Sequence, residues 1–282
     1  MELNLFMIKP IVEQALKEDI GYYDLTTVSI IPEKMRAKAV IKVKQQGILA
    51  GMPVVKLVYQ LLDPTVTVNL LQGEGAEVSA GMTVAEVSGP ARSILTGERV
   101  ALNFLQRLSG IATKTRAMAD SLQYFNCHIT DTRKTTPGLR ILEKYAVRIG
   151  GGRNHRFDLA DSVLIKDNHI EVSGGIKNAV SKARRSIGHT IKIEVETTSL
   201  EQVTDALEAG VDIIMLDNMP LEMMSEAVSL IGDKALIEAS GNIDETTIVE
   251  VARTGVHYIS SGSLTHSYKS LDISMDISYG DK

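Results

Sequence analysis

Six short apolar runs in the second half of the chain each end in polar residues whose types could do chemistry. These ends are Asp131-Thr132-Arg133-Lys134, Lys166-Asp167-Asn168-His169, Glu196-Thr197-Thr198, Asp217-Asn218, Ser240-Gly241-Asn242 and Ser260-Ser261-Gly262. If the runs are parallel strands of an α/β barrel, their carboxyl ends converge on one mouth, where the active sites of barrels are built. A structural protein can also carry polar loops there. Six successive units that present ionisable or small residues nevertheless favour a functional site.

Positive charge is concentrated in one of these regions. Residues 133–169 contain eight Lys or Arg and four acidic residues, so the segment carries +4 within a chain of net charge −5. Arg133, Lys134, Arg156 and Lys166 lie at or near predicted strand and turn ends, where a cluster of cations suits an anionic substrate. Arginine offers a planar fork for carboxylate or phosphate, and lysine offers a point charge.

Two acidic residues follow consecutive predicted strands. Glu196 and Asp217 are therefore expected to face one cavity. Paired carboxylates opposite cations can hold Mg²⁺, bind ribose hydroxyls or stabilise a cationic sugar transition state. Either residue alone is also typical of a helix cap or a loop. Glu194 shares the strand parity of Glu196, so it competes for the same role.

The last two strand–loop units end in small residues, Ser240-Gly241-Asn242 and Ser260-Ser261-Gly262. Barrels often bind a phosphate in this position, through backbone N–H groups that glycine allows to approach closely. Ordinary tight turns explain the same glycines, so this signal is weak by itself.

Three other features have simple structural interpretations. The spacing of Arg140, Lys144 and Arg148 at i, i+4 and i+8 predicts a solvated helix face. The Gly150–Gly152 run indicates a helix C-terminus or a hinge over the site. Cys127 is predicted to be a buried thiol rather than a nucleophile.

The elements that must position these residues differ between the two halves of the chain. In the first hundred residues, the pattern predicts helices over 10–19 and 54–62 and strands over 37–43, 66–71 and 82–87. Residues 98–122 give the longest helical signal. After it come predicted strands over 128–130, 163–165, 191–195, 213–216, 236–239 and 256–259, alternating with helices.

This alternation implies parallel strands with crossover helices. Helix starts are indicated by Ser199 with Gln202, by Pro220, and by Asn242 three residues before Glu245. The polar clusters at the strand ends favour a barrel over an open doubly wound sheet, whereas the spacing alone is compatible with both.

Composition excludes several classes of protein. An acidic chain with no Trp and 4% aromatic residues is expected neither to bind single-stranded nucleic acid by stacking nor to bind a nucleic-acid phosphate backbone. One cysteine excludes an intrachain disulfide framework. No apolar run approaches the ~20 residues that span a bilayer. The first residues lack the pattern of a secretory signal, so a cytoplasmic location is expected.

Several long motifs together resemble quinolinate phosphoribosyltransferase. The most specific are DTRKTTPGLR at 131–140, EKYAV at 143–147, GGGRNHR at 150–156 and LIKDNH at 164–169. Further blocks are DLTT at 24–27, ERVALNFLQ at 98–106, EVE at 194–196, MLDN at 215–218, EASGN at 238–242 and LTH at 264–266. The resemblance covers nearly the whole chain.

The resemblance implies an α/β fold with two domains. An N-terminal α/β sandwich domain would span 1–105, completed by 268–282, and an α/β barrel of the type II phosphoribosyltransferase kind would span 106–267. The implied reaction converts quinolinate and phosphoribosyl pyrophosphate to nicotinate mononucleotide, pyrophosphate and CO₂ with Mg²⁺, in de novo NAD biosynthesis. The implied assembly is a homodimer in which Arg99 reaches the partner's active site.

The same resemblance implies roles for individual residues. Arg133, His155, Arg156 and Lys166 would contact quinolinate. Lys134, Glu196 and Asp217 would serve phosphoribosyl pyrophosphate, the two acids also serving its metal. Ser240, Gly241, Gly262 and His266 would receive the 5′-phosphate. Lys134, Lys166, Glu196 and Asp217 are the expected catalytic residues, and Lys166 is the leading candidate to assist decarboxylation.

Three alternatives compete with this interpretation. A related phosphoribosyltransferase would act on nicotinate without decarboxylation, although the full set of cations favours a dicarboxylate. A Schiff-base aldolase would use Lys166 as its nucleophile. A protein that binds anions without catalysis would keep the fold, but it would not need Lys134 facing a pair of carboxylates.

Overall fold

The computed structural model describes residues 3–278 and divides the chain into two compact units. The first unit comprises the residues up to Arg116, Thr136–Gly151 and the residues from Ser267, and the second comprises Ala117–Thr135 and Gly152–His266. The domain limits given above stay a prediction, and residues 1, 2 and 279–282 of the predicted sandwich domain lie outside the described residues.

The helices are α1 (Leu5–Ile20), α2 (Leu25–Ile30), α3 (Met52–Leu62), α4 (Ala91–Ser121), α5 (Arg140–Ile149), α6 (Asp167–Ser173), α7 (Ile176–Ser186), α8 (Leu200–Glu208), α9 (Leu221–Ile231), α10 (Ile248–Arg253) and α11 (Ser263–His266). The strands are β1 (Arg36–Val43), β2 (Gly47–Ile48), β3 (Thr67–Leu70), β4 (Glu77–Val78), β5 (Thr83–Pro90), β6 (His128–Thr130), β7 (Val163–Ile165), β8 (Ile193–Thr197), β9 (Ile213–Asp217), β10 (Leu236–Ser240), β11 (Tyr258–Ser260) and β12 (Ile273–Ser278).

The first unit contains a four-stranded sheet in the order β12–β1–β5–β3, with antiparallel pairing throughout. The predicted alternation of β1 is present, since Ala37, Ala39, Ile41 and Val43 are buried between more exposed neighbours. This is the period-2 pattern of a sheet with one packed face. β12 pairs with β1 from Ser278 to Ile273, so residues near the C-terminus complete the sheet of the N-terminal region.

The second unit contains a six-stranded, all-parallel sheet in the order β6–β11–β10–β9–β8–β7. From β7 to β11 the strands follow one another in chain order, and helices connect them. The first strand, β6, pairs with the last, β11. A doubly wound sheet instead reverses its strand order at a switch point. The order therefore confirms the α/β barrel over the open sheet.

Helix α4 begins seven residues earlier than the sequence pattern indicates. Gly97 lies in this early part, and a Cβ there would come within 2.8 Å of the Tyr59 ring, so close packing explains a residue that weakens the helical pattern. Within residues 3–278, no helix combines the length and the apolar composition needed to cross a membrane.

The predicted helix start at Asn242 is wrong. Asn242 adopts a left-handed conformation (φ 50°), and Asp244 accepts the N–H of Thr246 in the turn that follows. Helix α10 begins only at Ile248. The start at Ser199 is confirmed, because its hydroxyl accepts the N–H of Gln202 at 3.2 Å.

The prediction of a solvated face along Arg140, Lys144 and Arg148 is also wrong. Lys144 is 2% exposed, and every residue from Leu142 to Val147 is buried. Charged residues tolerate such burial when they have partners. Neighbouring Glu143 shows how: its carboxylate accepts from Arg107 Nε at 3.1 Å and from the Thr136 N–H at 3.0 Å.

Candidate active site

A cavity of about 810 Å³ lies at the carboxyl ends of the parallel strands of the second unit. Of the twelve predicted site residues, eleven line it: Arg133, Lys134, His155, Arg156, Lys166, Glu196, Asp217, Ser240, Gly241, Gly262 and His266. Arg99 lies elsewhere, exposed on α4 in the first unit. The structure thus brings together residues that are up to 133 positions apart, and their individual roles stay predictions.

Two cationic residues, Arg133 and Lys134, lie in the segment that follows β6. The N–H of Lys134 donates to Thr132 Oγ1 at 3.0 Å, and its carbonyl accepts from Thr265 Oγ1 at 2.7 Å. The second contact ties the end of β6 to α11, where His266 lies. Gly262 makes this packing possible, since a Cβ there would lie 2.8 Å from Lys134 Cδ and 3.0 Å from His266 Nε2.

Arg156 reaches the cavity from the loop that leads to β7. Its Nη1 donates to the carbonyl of Ser162 at 2.9 Å. Burial, together with the nearby charge of Arg133, lowers the pKa of Arg156. Two guanidinium groups close to each other in one cavity produce a positive potential, which favours an anionic ligand.

The two predicted carboxylates lie on the wall formed by neighbouring strands. Glu196 Oε2 accepts from Lys166 Nζ at 2.7 Å, and its side chain is 15% exposed. Asp217, at the end of β9, accepts from the side chain of Asn218 at 2.9 Å. Glu194 and Glu196 share a strand parity, and of the two it is Glu196 that lines the cavity.

Glu194 instead belongs to a buried cluster with His155 and Glu238. His155 Nε2 lies 3.2 Å from Glu194 Oε2 and 3.4 Å from Glu238 Oε1. Burial by itself lowers the pKa of His155, but the two carboxylates outweigh it and raise the pKa above its ordinary value. Burial raises the pKa of Glu194 despite the hydrogen bond from His155. Both pKa values are raised, and both shifts favour the protonated forms, so the cluster retains a proton between the ring and the carboxylates.

The small-residue turn after β10 has a backbone that requires glycine. Gly241 has φ 105°, and a Cβ there would lie 2.9 Å from the backbone nitrogen of Asn218 as well as against its side chain. Only glycine adopts this conformation at no steric cost. The turn therefore brings bare backbone to the rim of the cavity beside Ser240, as a phosphate site requires.

Two buried residues of this region received no role from the sequence. Glu238 is 4% exposed within β10, and Asp131 is fully buried at the end of β6. Asp131 Oδ1 accepts the N–H of His155 at 3.0 Å. A glutamate inside an apolar strand was the available signal for Glu238, because such a residue is almost never fully buried without a partner.

This cavity combines several cations, two carboxylates and a glycine-containing turn, which suits a small anion together with a phosphorylated sugar. Two family models match the chain: the quinolinate phosphoribosyl transferase N-terminal domain over residues 24–109 and the C-terminal domain over residues 111–276. The chain belongs to the quinolinate phosphoribosyltransferase family.

Members of this family resemble the chain over its whole length. A probable carboxylating nicotinate-nucleotide pyrophosphorylase from Bacillus subtilis (strain 168) is 47% identical, covering 99% of this chain and 96% of the relative. The crystal structure of NadC from Streptococcus pyogenes superposes with a TM-score of 0.96 at 46% identity, covering all of both chains. The nicotinate-nucleotide pyrophosphorylase of Francisella tularensis gives a TM-score of 0.94 at 39% identity, covering 98% of each chain.

Proposed function

We propose that this protein transfers the phosphoribosyl group of phosphoribosyl pyrophosphate to quinolinate with loss of CO₂. The products are nicotinate mononucleotide and pyrophosphate, in the de novo synthesis of NAD. The observation that carries the proposal is the convergence of Arg133, Arg156 and Lys166 with Glu196 and Asp217 in one cavity. The relatives' names, which include quinolinate phosphoribosyltransferase [decarboxylating], support the same reaction.

The test is an assay of the purified protein for nicotinate mononucleotide and CO₂, with Mg²⁺ present or removed by a chelator. We expect both products from quinolinate and little turnover of nicotinate, because the cationic wall is built for two carboxylates. Turnover of nicotinate in preference to quinolinate would favour the related transferase. A folded protein that binds phosphoribosyl pyrophosphate but never releases pyrophosphate would be an anion-binding protein only.

The quinolinate carboxylates are proposed to bind to Arg133, Arg156 and Lys166, with His155 against them. Two adjacent guanidinium groups offer bidentate hydrogen bonds, which fix the orientation of a planar dicarboxylate. Positioning of this kind places the ring nitrogen opposite C1 of the ribose, and a well-aligned pair of reactants removes much of the barrier.

Phosphoribosyl pyrophosphate is proposed to occupy the side of the cavity formed by Lys134, Glu196 and Asp217. Its C1–O bond breaks as the quinolinate nitrogen attacks, and the electron pair leaves with pyrophosphate. The carboxylates of Glu196 and Asp217 stabilise the positive charge that develops on the ribose, and Lys134 offsets the charge on the leaving group.

The 5′-phosphate is proposed to bind at the rim formed by Ser240, Gly241, Gly262 and His266. The left-handed turn at Gly241 leaves no side chain between the backbone and the ligand. A phosphate held there anchors the ribose at the end opposite the bond that breaks, so C1 is fixed between the quinolinate and the leaving group.

Mg²⁺ fits the donors present on the carboxylate side. Glu196 and Asp217 offer the hard oxygen ligands that Mg²⁺ prefers, and the cavity leaves room for water and phosphate oxygens as further ligands. When bound there, the ion would neutralise charge on the pyrophosphate.

Decarboxylation follows the transfer. Once the ring nitrogen carries the ribose and a positive charge, the bond from the ring to the adjacent carboxylate breaks, and its electron pair stays on the ring carbon. CO₂ leaves and the carbon takes up a proton. We propose that Lys166, at the end of β7, stabilises this carbanion-like ring with its ammonium group.

The assembly is proposed to be a homodimer in which Arg99 reaches the active site of the partner. Its exposure on α4, outside the cavity of its own chain, is compatible with that role. A cytoplasmic location belongs to the same proposal. Family membership sets aside the aldolase alternative for Lys166.

A further inference from the structure

Glu238 is a buried acidic residue of the second unit to which the reaction proposed above assigns no role. Glu238 lies in the middle of β10, 4% exposed, and it does not line the cavity. Its Oε1 lies 3.4 Å from His155 Nε2, next to Glu194 Oε2 at 3.2 Å. Burying a second carboxylate beside the first is unfavourable for folding, so we expect Glu238 to have a functional role.

The polar atoms of the His155 ring are directed at the protein. Nε2 faces the two glutamates, and Nδ1 accepts the N–H of Arg156 at 2.7 Å. The backbone N–H of His155 is held as well, by Asp131 Oδ1 at 3.0 Å. The imidazole therefore acts as a rigid strut between the glutamates and the main chain of Arg156, with both ring nitrogens in contact with the protein.

Arg156 is the residue that this strut supports. Its guanidinium lines the cavity, close enough to Arg133 for the charge of that residue to perturb it. The repulsion between the two like charges pushes the side chain of Arg156 away from Arg133 unless other contacts hold it. Arg156 has two such contacts: its Nη1 donates to the carbonyl of Ser162, and its backbone N–H donates to Nδ1 of His155.

We infer that Glu238 is a positioning residue for quinolinate binding. Together with Glu194 it holds Nε2 of His155, and through that ring it fixes Arg156 against the carboxylate-binding wall. The inference rests on the proposed function, because it assigns quinolinate to Arg156. It predicts that Glu238 affects one substrate and leaves the other unchanged.

The first test compares Glu238→Leu, Glu238→Gln and the exposed control Glu226→Gln. Loss of a charged partner 3.4 Å from a buried ring nitrogen corresponds to about a tenfold effect or more. We expect Glu238→Leu to raise KM for quinolinate at least about tenfold, with KM for phosphoribosyl pyrophosphate within twofold of the wild type. Glu238→Gln keeps an acceptor for Nε2 and should recover most of that loss.

A merely structural role would lower the melting temperature and impair both substrates alike, and that result would overturn the inference. Because Glu238→Leu is the more disruptive change, Glu238→Gln provides the second variant: equal KM values for quinolinate in Glu238→Gln and a folded Glu238→Leu would also contradict it. Wild-type protein without transferase activity would refute the proposed function instead, so the two failures are distinguishable.

The second test asks whether Glu238 acts through His155. In a double-mutant cycle with His155→Ala, we expect Glu238→Leu, which raises KM for quinolinate on its own, to have no further effect on that KM once the ring is absent. Additive effects would show that the two residues act independently. A stoichiometric metal ion retained by wild-type protein and lost from Glu238→Gln would also overturn the inference, because the cluster would then be a metal site.

Discussion

Replacing Lys166 by methionine tests the core of the proposed site. The substitution keeps the length of the side chain but removes the ammonium group that donates to Glu196 at 2.7 Å. Two consequences follow. Quinolinate loses a cationic partner, and the Glu196 carboxylate, with a side chain only 15% exposed, is left facing the substrate with its charge uncompensated.

The expected magnitude follows from these two contributions. A hydrogen bond to a charged group contributes about 1.5–3 kcal/mol. Two unit charges about 5 Å apart at an effective dielectric constant of about 20 interact by about 3 kcal/mol, which is an upper bound for the new repulsion. The sum is about 1.5–6 kcal/mol, so kcat/KM for quinolinate should fall by about 10 to 10⁴.

The assay is steady-state formation of nicotinate mononucleotide as quinolinate is varied at saturating phosphoribosyl pyrophosphate. Lys177→Met is the matched control, because Lys177 pairs with Asp205 and Glu208 on the surface of the second unit and should leave the rate unchanged. In Lys166→Met/Glu196→Gln the uncompensated carboxylate is gone, so KM for quinolinate should recover about tenfold from the single variant, whereas kcat should not. A Lys166→Met protein within threefold of the wild type would refute the reasoning.

Three further predictions address the phosphate turn, the assembly and the first unit. Gly241→Ala places a Cβ against Asn218 in a backbone conformation (φ 105°) that favours glycine. KM for phosphoribosyl pyrophosphate should therefore rise at least about tenfold, while quinolinate binding measured by calorimetry is retained. An unchanged KM would contradict the assignment of this turn to the 5′-phosphate. Arg99→Ala and Lys134→Ala should each be inactive alone. When the two variants are unfolded and refolded together, the mixture should regain up to about a quarter of wild-type activity, because each mixed dimer carries one intact site. No recovery would contradict a site shared between subunits. Hydrogen bonds from Thr27 lower the pKa of Asp24, so its stabilisation is present above the ordinary value of 3.8 and is lost as the pH falls through the folded value. Asp24→Ala should therefore cost about 1 kcal/mol of unfolding free energy at pH 7 and progressively less in acid, as measured by urea denaturation; a cost independent of pH would contradict this assignment.

The position of the site was predictable because each polar cluster follows directly on an apolar run. Parallel strands align their carboxyl ends, so Lys166, Glu196 and Asp217 had to meet once the strands were identified. Period-2 parity also limited the choice to Glu194 or Glu196. It could not decide between them, because both face the same side of β8 and differ only in depth, which depends on the register with β9.

What lies beneath the cavity was not predictable from local patterns. The position of the His155 ring depends on Glu194 from β8 and Glu238 from β10, which are tens of residues away in the chain.

Helix α5 illustrates the same limit of prediction from local patterns. Its regular spacing of basic residues is typical of a solvated face, but burial depends on what surrounds the helix, and Lys144 is enclosed within the first unit.

Folding of the second unit brings the basic segment of the sequence and the acidic residues of later strands into one cavity. The cations of the site come from the segment 133–169, which carries +4, whereas the carboxylates that line the same cavity come from β8 and β9. Before substrate arrives, Lys166 is already paired with Glu196. A quinolinate carboxylate that takes Lys166 as its partner must therefore release Glu196, which then accepts from a ribose hydroxyl or a metal ion. The ion pair thus couples the two halves of the cavity, and we expect each substrate to bind more tightly when the other is present, by the same factor in both directions.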